Sequence, residues 1–108
     1  MNDYLLIESL DPFESNDVED YWRLAAGLAR GGSRVTLFLV QNGVLAARTS
    51  TRGERLGAIA AAGVEVLADD FSLRERGIGA ASLVAGVRSA PLDTVLDRLA
   101  QGRKALWH

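Results

Sequence analysis

Val35-Thr36-Leu37-Phe38-Leu39-Val40-Gln41-Asn42-Gly43 decides the fold class. Val35 to Val40 is nearly continuous in apolar residues, and Gln41-Asn42-Gly43 then breaks the run. A strand with one wet face alternates apolar and polar side chains. A strand covered on both faces has no reason to alternate, and this run fits that case. A covered strand needs helical layers on each side, so the flanking sequence must supply them.

Toward the N-terminus it does. Val18, Tyr21, Trp22, Ala25, Leu28 and Ala29 recur at three- and four-residue intervals and put one apolar stripe against a sheet. Asn16 and Glu19 form a capping pattern that opens this helix, and Gly31-Gly32 closes it. Before it, Tyr4 to Ile7 reads as a buried first strand, with a turn at Asp11-Pro12.

Toward the C-terminus the alternation continues. Val44 to Ala47 reads as one helical turn. Thr51 and Glu54 make a second capping pattern for a helix with Leu56, Ile59 and Ala60 inward, ending at Gly63. Val64 to Leu67 is a third strand, and Phe71 to Arg76 a short helix stopped by Gly77. Ser82 to Val87 reads as either a strand or a loop. Pro91 suits a helix's first turn, with Leu92, Val95, Leu96 and Leu99 as its stripe, and Lys104 to Trp107 is a last short strand. Strands alternating with helices indicate a mostly parallel sheet of about five strands in a three-layer α/β/α domain spanning residues 1–108.

Composition excludes several functions. The chain has 108 residues, 48% of them hydrophobic, enough for one core. A net charge of −2 with no basic run argues against direct nucleic-acid binding. No apolar stretch is long enough to span a membrane, and the start lacks a basic signal-peptide region, so a cytoplasmic protein is expected. Without cysteine there is no disulfide, thiolate zinc site or thiol catalysis. The one histidine, His108, excludes a His-rich metal site and reads as a frayed or tag-adjacent end. No metal or cofactor is implied, and no catalytic residue is assigned.

In an open parallel sheet, ligands bind beyond the carboxyl ends of the strands. The loops leaving those ends carry Ser9 and Asp11, then Gln41, Asn42 and Gly43, then Asp69, Asp70 and Arg76. These eight residues are the candidate pocket. Five of them also have a plainer role. Asn42-Gly43 is a turn, with Gly43 at positive φ or Asn42 as a cap, before it is an anion cradle. Asp69-Asp70 caps a helix more readily than it forms an acid–base pair. Arg76 is more often a solvated or interface charge than an anion ligand. Trp22 and Trp107 are core or interface aromatics. Neither glycine-rich phosphate-loop pattern occurs.

The segments Gln41-Asn42-Gly43-Val44-Leu45-Ala46-Ala47 and Asp69 to Ile78 carry a resemblance. The first resembles the Q-D-G-V-x-A-A loop of TusB/DsrH proteins. The second resembles their acidic E-D-L-x-A-R-G-L segment and the C-x-x-x-x-L-x-R-G segment of DsrE and TusD. The closing Ala105-Leu106-Trp107 is similar to the TusB tail. The resemblance is to the DsrE/DsrF/DsrH superfamily. It implies a Rossmann-like α/β/α fold and a cytoplasmic role in sulfur relay, for tRNA 2-thiouridine formation or sulfur oxidation. It also implies homo- or hetero-oligomers with DsrE-like subunits, including a cysteine-bearing sulfur carrier. In carrier members the thiol falls eight residues before the glycine of the R-G pair, which here is Asp69 counted back from Gly77. The resemblance therefore implies a subunit that does not itself carry sulfur. The alternative is a small-molecule or anion-binding domain with a repurposed pocket. With no thiol nucleophile and no internal histidine, the reading leans away from an enzyme.

Overall fold

The computed structural model describes residues 3–48 and 51–108, with backbone only at 51 and 52. Five strands form one sheet in the order β4-β3-β2-β1-β5, and every neighbouring pair is parallel. They are β1 (Asp3–Glu8), β2 (Arg34–Leu39), β3 (Glu65–Asp69), β4 (Val87–Ala90) and β5 (Lys104–Trp107). Four α-helices connect them: α1 (Val18–Arg30), α2 (Thr51–Ala61), α3 (Asp70–Glu75) and α4 (Asp93–Ala100). A 3-10 helix, Gln41–Ala47, follows β2. The fold is a Rossmann-like three-layer α/β/α arrangement, as the alternation and the resemblance indicate.

The pleat sorts β1, β2 and β3 into two cores, because successive side chains point to opposite faces. On one face Leu6, Leu37, Leu39, Val66 and Ala68 pack against Val18, Trp22, Ala25 and Ala26 of α1, Leu56 and Ile59 of α2, and Leu73 of α3. On the other, Leu5, Ile7, Phe38, Val40 and Leu67 meet α4 through Val95. Chain direction explains the split. The chain steps from β1 to β4 in one direction, so right-handed crossovers keep α1, α2 and α3 on one face. It then reverses to place β5 beside β1, which puts α4 on the opposite face.

Several local expectations need correction. Asn16 does not cap α1; Asp17 holds that position without a side-chain cap bond, and Glu19 pairs with Arg55. At the other end of α1, Gly32 takes the left-handed conformation at φ 99°, whereas Gly31 stays at φ −78°. The single turn expected at 44–47 is a longer 3-10 helix. The Thr51–Glu54 capping pattern lies partly outside the described residues. Of the two readings left open for Ser82 to Val87, the loop holds up to Gly86, at φ 93°, and strand β4 begins at Val87. Leu83 makes only an isolated antiparallel bridge to Arg48. Pro91 precedes α4, and its carbonyl accepts from Thr94 N–H.

The stripe of α4 is the largest departure. Val95 is buried, but Leu92, Leu96 and Leu99 are exposed. Periodicity shows that a helix has an apolar side, not that anything in the same chain covers it. Trp22 is in the core, whereas Trp107 on the edge strand is 68% exposed. Among the described residues no helix is long and apolar enough to cross a membrane.

Candidate functional site

The carboxyl edge of the sheet carries two polar clusters and a cleft. The first cluster lies where β2 and β3 end. Asp69 is the N-cap of α3, with Oδ2 accepting from Ser72 N–H at 3.0 Å and Ser72 Oγ–H at 2.7 Å. Ser72 Oγ in turn accepts from Gln41 N–H at 2.9 Å. Next to this chain, Arg76 donates to Asn42 Oδ1 from Nη2 at 3.0 Å and Nε at 3.3 Å, and to the Ser72 carbonyl at 3.2 Å. Gln41, Asn42, Asp69 and Arg76 thus form one network that ties the 3-10 helix to α3.

The glycine of the loop matters for a different reason than a turn. Positive φ falls on Gln41, at 52°, not on Gly43. A Cβ on Gly43 would lie 2.3 Å from the Glu8 carbonyl oxygen. The loop therefore sits against the end of β1, and only a residue without a side chain fits.

Asp70 is separate from Asp69 in role. It pairs with Arg74 at 3.8 Å and borders a cleft of about 220 Å³ with Leu73, Ile78 and Ser89. This cleft lies at the topological switch point. The chain leaves β3 toward α3 on one face and leaves neighbouring β4 toward α4 on the other. The two aspartates are adjacent in sequence, but one is a buried cap and the other lines a cleft.

The second cluster was not foreseen. Glu8, fully buried at the end of β1, meets His108 Nδ1 with both carboxylate oxygens at 2.9 Å. His108 Nε2 lies 3.1 Å from Asp17 Oδ2, and the ring stacks on Tyr21 with centroids 5.0 Å apart. The Tyr21 hydroxyl donates to the Leu106 carbonyl at 2.8 Å. His108 N–H donates to the Ile7 carbonyl, while Ser9 N–H and Oγ–H both donate to the His108 main-chain oxygen. The reading of His108 as a frayed end is therefore wrong: parallel pairing of β5 with β1 carries it into this cluster. Ser9 belongs here. Asp11 instead builds its own turn, accepting from Phe13 N–H at 3.2 Å.

Electrostatics sets the protonation of this cluster. Burial pushes the Glu8 carboxyl up, with partial offset from the Leu10 N–H and His108. Burial works against a charge on His108, but hydrogen bonds to Asp17 and Glu8 prevail and hold it above its usual range. Burial, and then the Glu8 charge, push Tyr21 up to about 12. Both ring nitrogens face carboxylates, and only the imidazolium can donate from both. The signal missed in sequence was Glu8 closing an apolar strand. Its partner lies 100 residues away and is found only once β5 is known to flank β1.

The eight residues expected at this edge fall into several hydrogen-bonded groups. Four share the β2/β3 network, Gly43 seats it against β1, Asp70 lines the cleft, and Ser9 and Asp11 lie on the β1 loop. Among the described residues no group of three or more acidic or histidine side chains is arranged to hold a metal.

No family model matches this chain, and no curated protein does. Solved structures do. The ychN protein of E. coli superposes with a TM-score of 0.89 over 100% of both chains, at 22% identity. MTH1491 of Methanobacterium thermoautotrophicum, described as a protein of unknown function, gives 0.79 at 20% identity, over 99% of this chain and 98% of its own. BT1422 of Bacteroides thetaiotaomicron, also described as of unknown function, gives 0.73 at 16% identity, over 99% and 95%. At these identities the likeness establishes the fold.

Proposed function

We propose that this chain is a non-carrying subunit of a DsrE-like sulfur-relay assembly, acting in tRNA thiolation or sulfur oxidation. The observation that carries the reading is the role of Asp69. At the position where the resemblance places a carrier's thiol, this chain has a helix cap hydrogen-bonded inside the protein. Sulfur transfer needs a thiolate nucleophile, and the chain has no cysteine. What the subunit offers instead is surface. Leu92, Leu96 and Leu99 of α4 and Trp107 of β5 are exposed, and the register puts Trp107 on α4's side of the sheet. Exposed leucines beside a tryptophan are the composition of a protein interface core.

The test is affinity capture from native extract followed by native mass spectrometry with thiol counting. The expected result is a stoichiometric complex with a cysteine-bearing α/β subunit, lost in Leu96→Glu or Trp107→Glu variants that remain folded. A stable persulfide adduct on the purified chain itself would refute the reading. A second reading, a small-molecule site at the same edge, draws on the switch-point cleft with Asp70 and Arg74. It requires a copurifying ligand whose binding is lost in Asp70→Asn.

A further inference from the structure

The amino edge of the sheet, opposite the residues discussed so far, holds a cleft of about 430 Å³. Arg34 at the start of β2, Glu65 at the start of β3, Arg98 near the end of α4 and Arg103 before β5 line it, with Ser33 and Gln101 as neutral polar groups. The start of β2 and the stretch from the end of α4 to the start of β5 bring three guanidinium groups to one cleft in a protein whose net charge is −2.

The carboxylates nearby do not match these arginines one for one. Glu65 accepts from Arg98 at 2.9 Å and from Arg88 at 3.1 Å, and also from buried Thr36 Oγ1 at 2.7 Å. Asp3 pairs with Arg34. Arg103 bonds only to neutral oxygens, Thr36 Oγ1 at 2.6 Å and the Tyr4 carbonyl at 3.5 Å. Among the described residues it has no carboxylate within ion-pair distance. The Nε–H groups of Arg98 and Arg103 are both out of solvent reach and have no acceptor. Burial, and then the charges of Arg98 and Arg34, lower the pKa of Arg103, so its neighbourhood is already crowded with positive charge.

Helix C-termini also face this edge, and their dipoles disfavour an anion. That effect is confined to the exposed helix end and is screened by solvent and salt. Charge-assisted guanidinium hydrogen bonds to an anion are stronger and act at contact distance. Backbone N–H groups further occupy the last carbonyls, as in Ser33 to Leu28 at 3.2 Å and Gly102 to Leu99 at 3.0 Å. The arginines therefore decide the sign.

We propose that this cleft binds the phosphate group of a small phosphorylated molecule, held by Arg34, Arg98 and Arg103. Planar guanidinium forks match phosphate oxygens in pairs. The cleft is larger than one phosphate, and Val35 and Gly63 add apolar wall, so an ester is favoured over the free ion.

Calorimetric titration with inorganic phosphate and with phenyl phosphate, at low salt and neutral pH, tests this. One saturable site is expected, tighter for phenyl phosphate. Arg103→Gln should weaken it about tenfold or more. Glu65→Gln should tighten it, because Arg88 and Arg98 lose their counter-charge. Arg34→Gln, at an exposed side chain whose one ion pair among the described residues is with Asp3, should keep the fold and weaken binding severalfold, which keeps the test open if Arg103→Gln misfolds. Asp70→Asn, at the other edge, should change nothing. Equal affinity for the two probes would mark a free-phosphate site. No saturable binding at millimolar phosphate, or binding unchanged in Arg34→Gln and Glu65→Gln, would overturn the proposal.

Discussion

The two halves of the carboxyl edge hold buried polar groups by different means. Where β2 and β3 end, the partners are close in sequence or lie on consecutive loops. Asp69 caps the helix it begins, Ser72 relays the bond to Gln41, and Asn42 meets Arg76. Where β1 and β5 end, Glu8 depends on a histidine from the opposite end of the chain. The first half is a set of local caps that stiffens a loop. The second is a long-range, titrating contact that ties an edge strand to the sheet. One edge thus combines a fixed scaffold with a junction whose strength follows pH.

Gly43 joins the two halves, so its substitution should have the largest effect. An alanine Cβ would sit 2.3 Å from the Glu8 carbonyl, which is backbone and cannot swing aside. The 3-10 helix must then lift from β1, disturbing both clusters. Overpacking of this kind costs about 3 kcal/mol. Urea unfolding of Gly43→Ala should show that loss, and a change below about 0.5 kcal/mol would mean the halves are not coupled through this loop.

His108→Ala comes next, at about 2 kcal/mol near neutral pH, because it strands a buried carboxylate that can still escape by protonation. The pH dependence separates the two halves more sharply. The folded-state pKa of His108 is raised above 6.5, so its contribution is complete below that value and is lost as pH rises through the folded one. Glu8 is raised above 4.5, so it too favours the folded state on the acid side. Asp17, the other carboxylate facing the ring, is lowered, by Ser15 and then by His108, and stays charged above pH 6.5; Tyr21, at about 12, does not titrate there. Melting temperature should therefore fall as pH climbs above 6.5 in the native protein. In the double variant Glu8→Gln/His108→Ala, which removes both titrating groups, that step should vanish. An unchanged slope would show that the contact is present but does not govern stability.

The same division explains what could be read from sequence. Val35 to Val40 announced a covered parallel strand, and Asp69 with Ser72 follows from helix-capping rules, because both patterns are local. Gly43 was legible as a needed glycine but for the wrong reason, since a close approach to β1 is invisible until the strands are placed. Glu8 with His108, and Arg34 with Arg98 and Arg103, come from elements far apart along the chain. Composition even pointed the other way, as one histidine and a slightly acidic balance suggest neither a histidine cluster nor an arginine-lined cleft. The outward side of α4 was misread because periodicity cannot report what covers a helix.

Asp69→Ala should have the smallest effect of the three, about 1.5 kcal/mol. It removes the acceptor for Ser72 N–H and Oγ–H, and Ser72 is itself only 4% exposed. The hydroxyl can still serve Gln41 N–H as acceptor, so the cap and the hydroxyl's own donor bond are lost while the Asn42–Arg76 bonds survive. Asp69→Ser should recover much of the loss, because a serine oxygen can cap the same N–H. That recovery would identify Asp69 as a structural cap. If Asp69→Ser instead left the protein as unstable as the alanine variant, the unpaired Oδ1 of Asp69, buried beside this cap, would have to carry the difference. The β2/β3 half would then be more than a set of local caps, and its contrast with the Glu8–His108 junction would weaken.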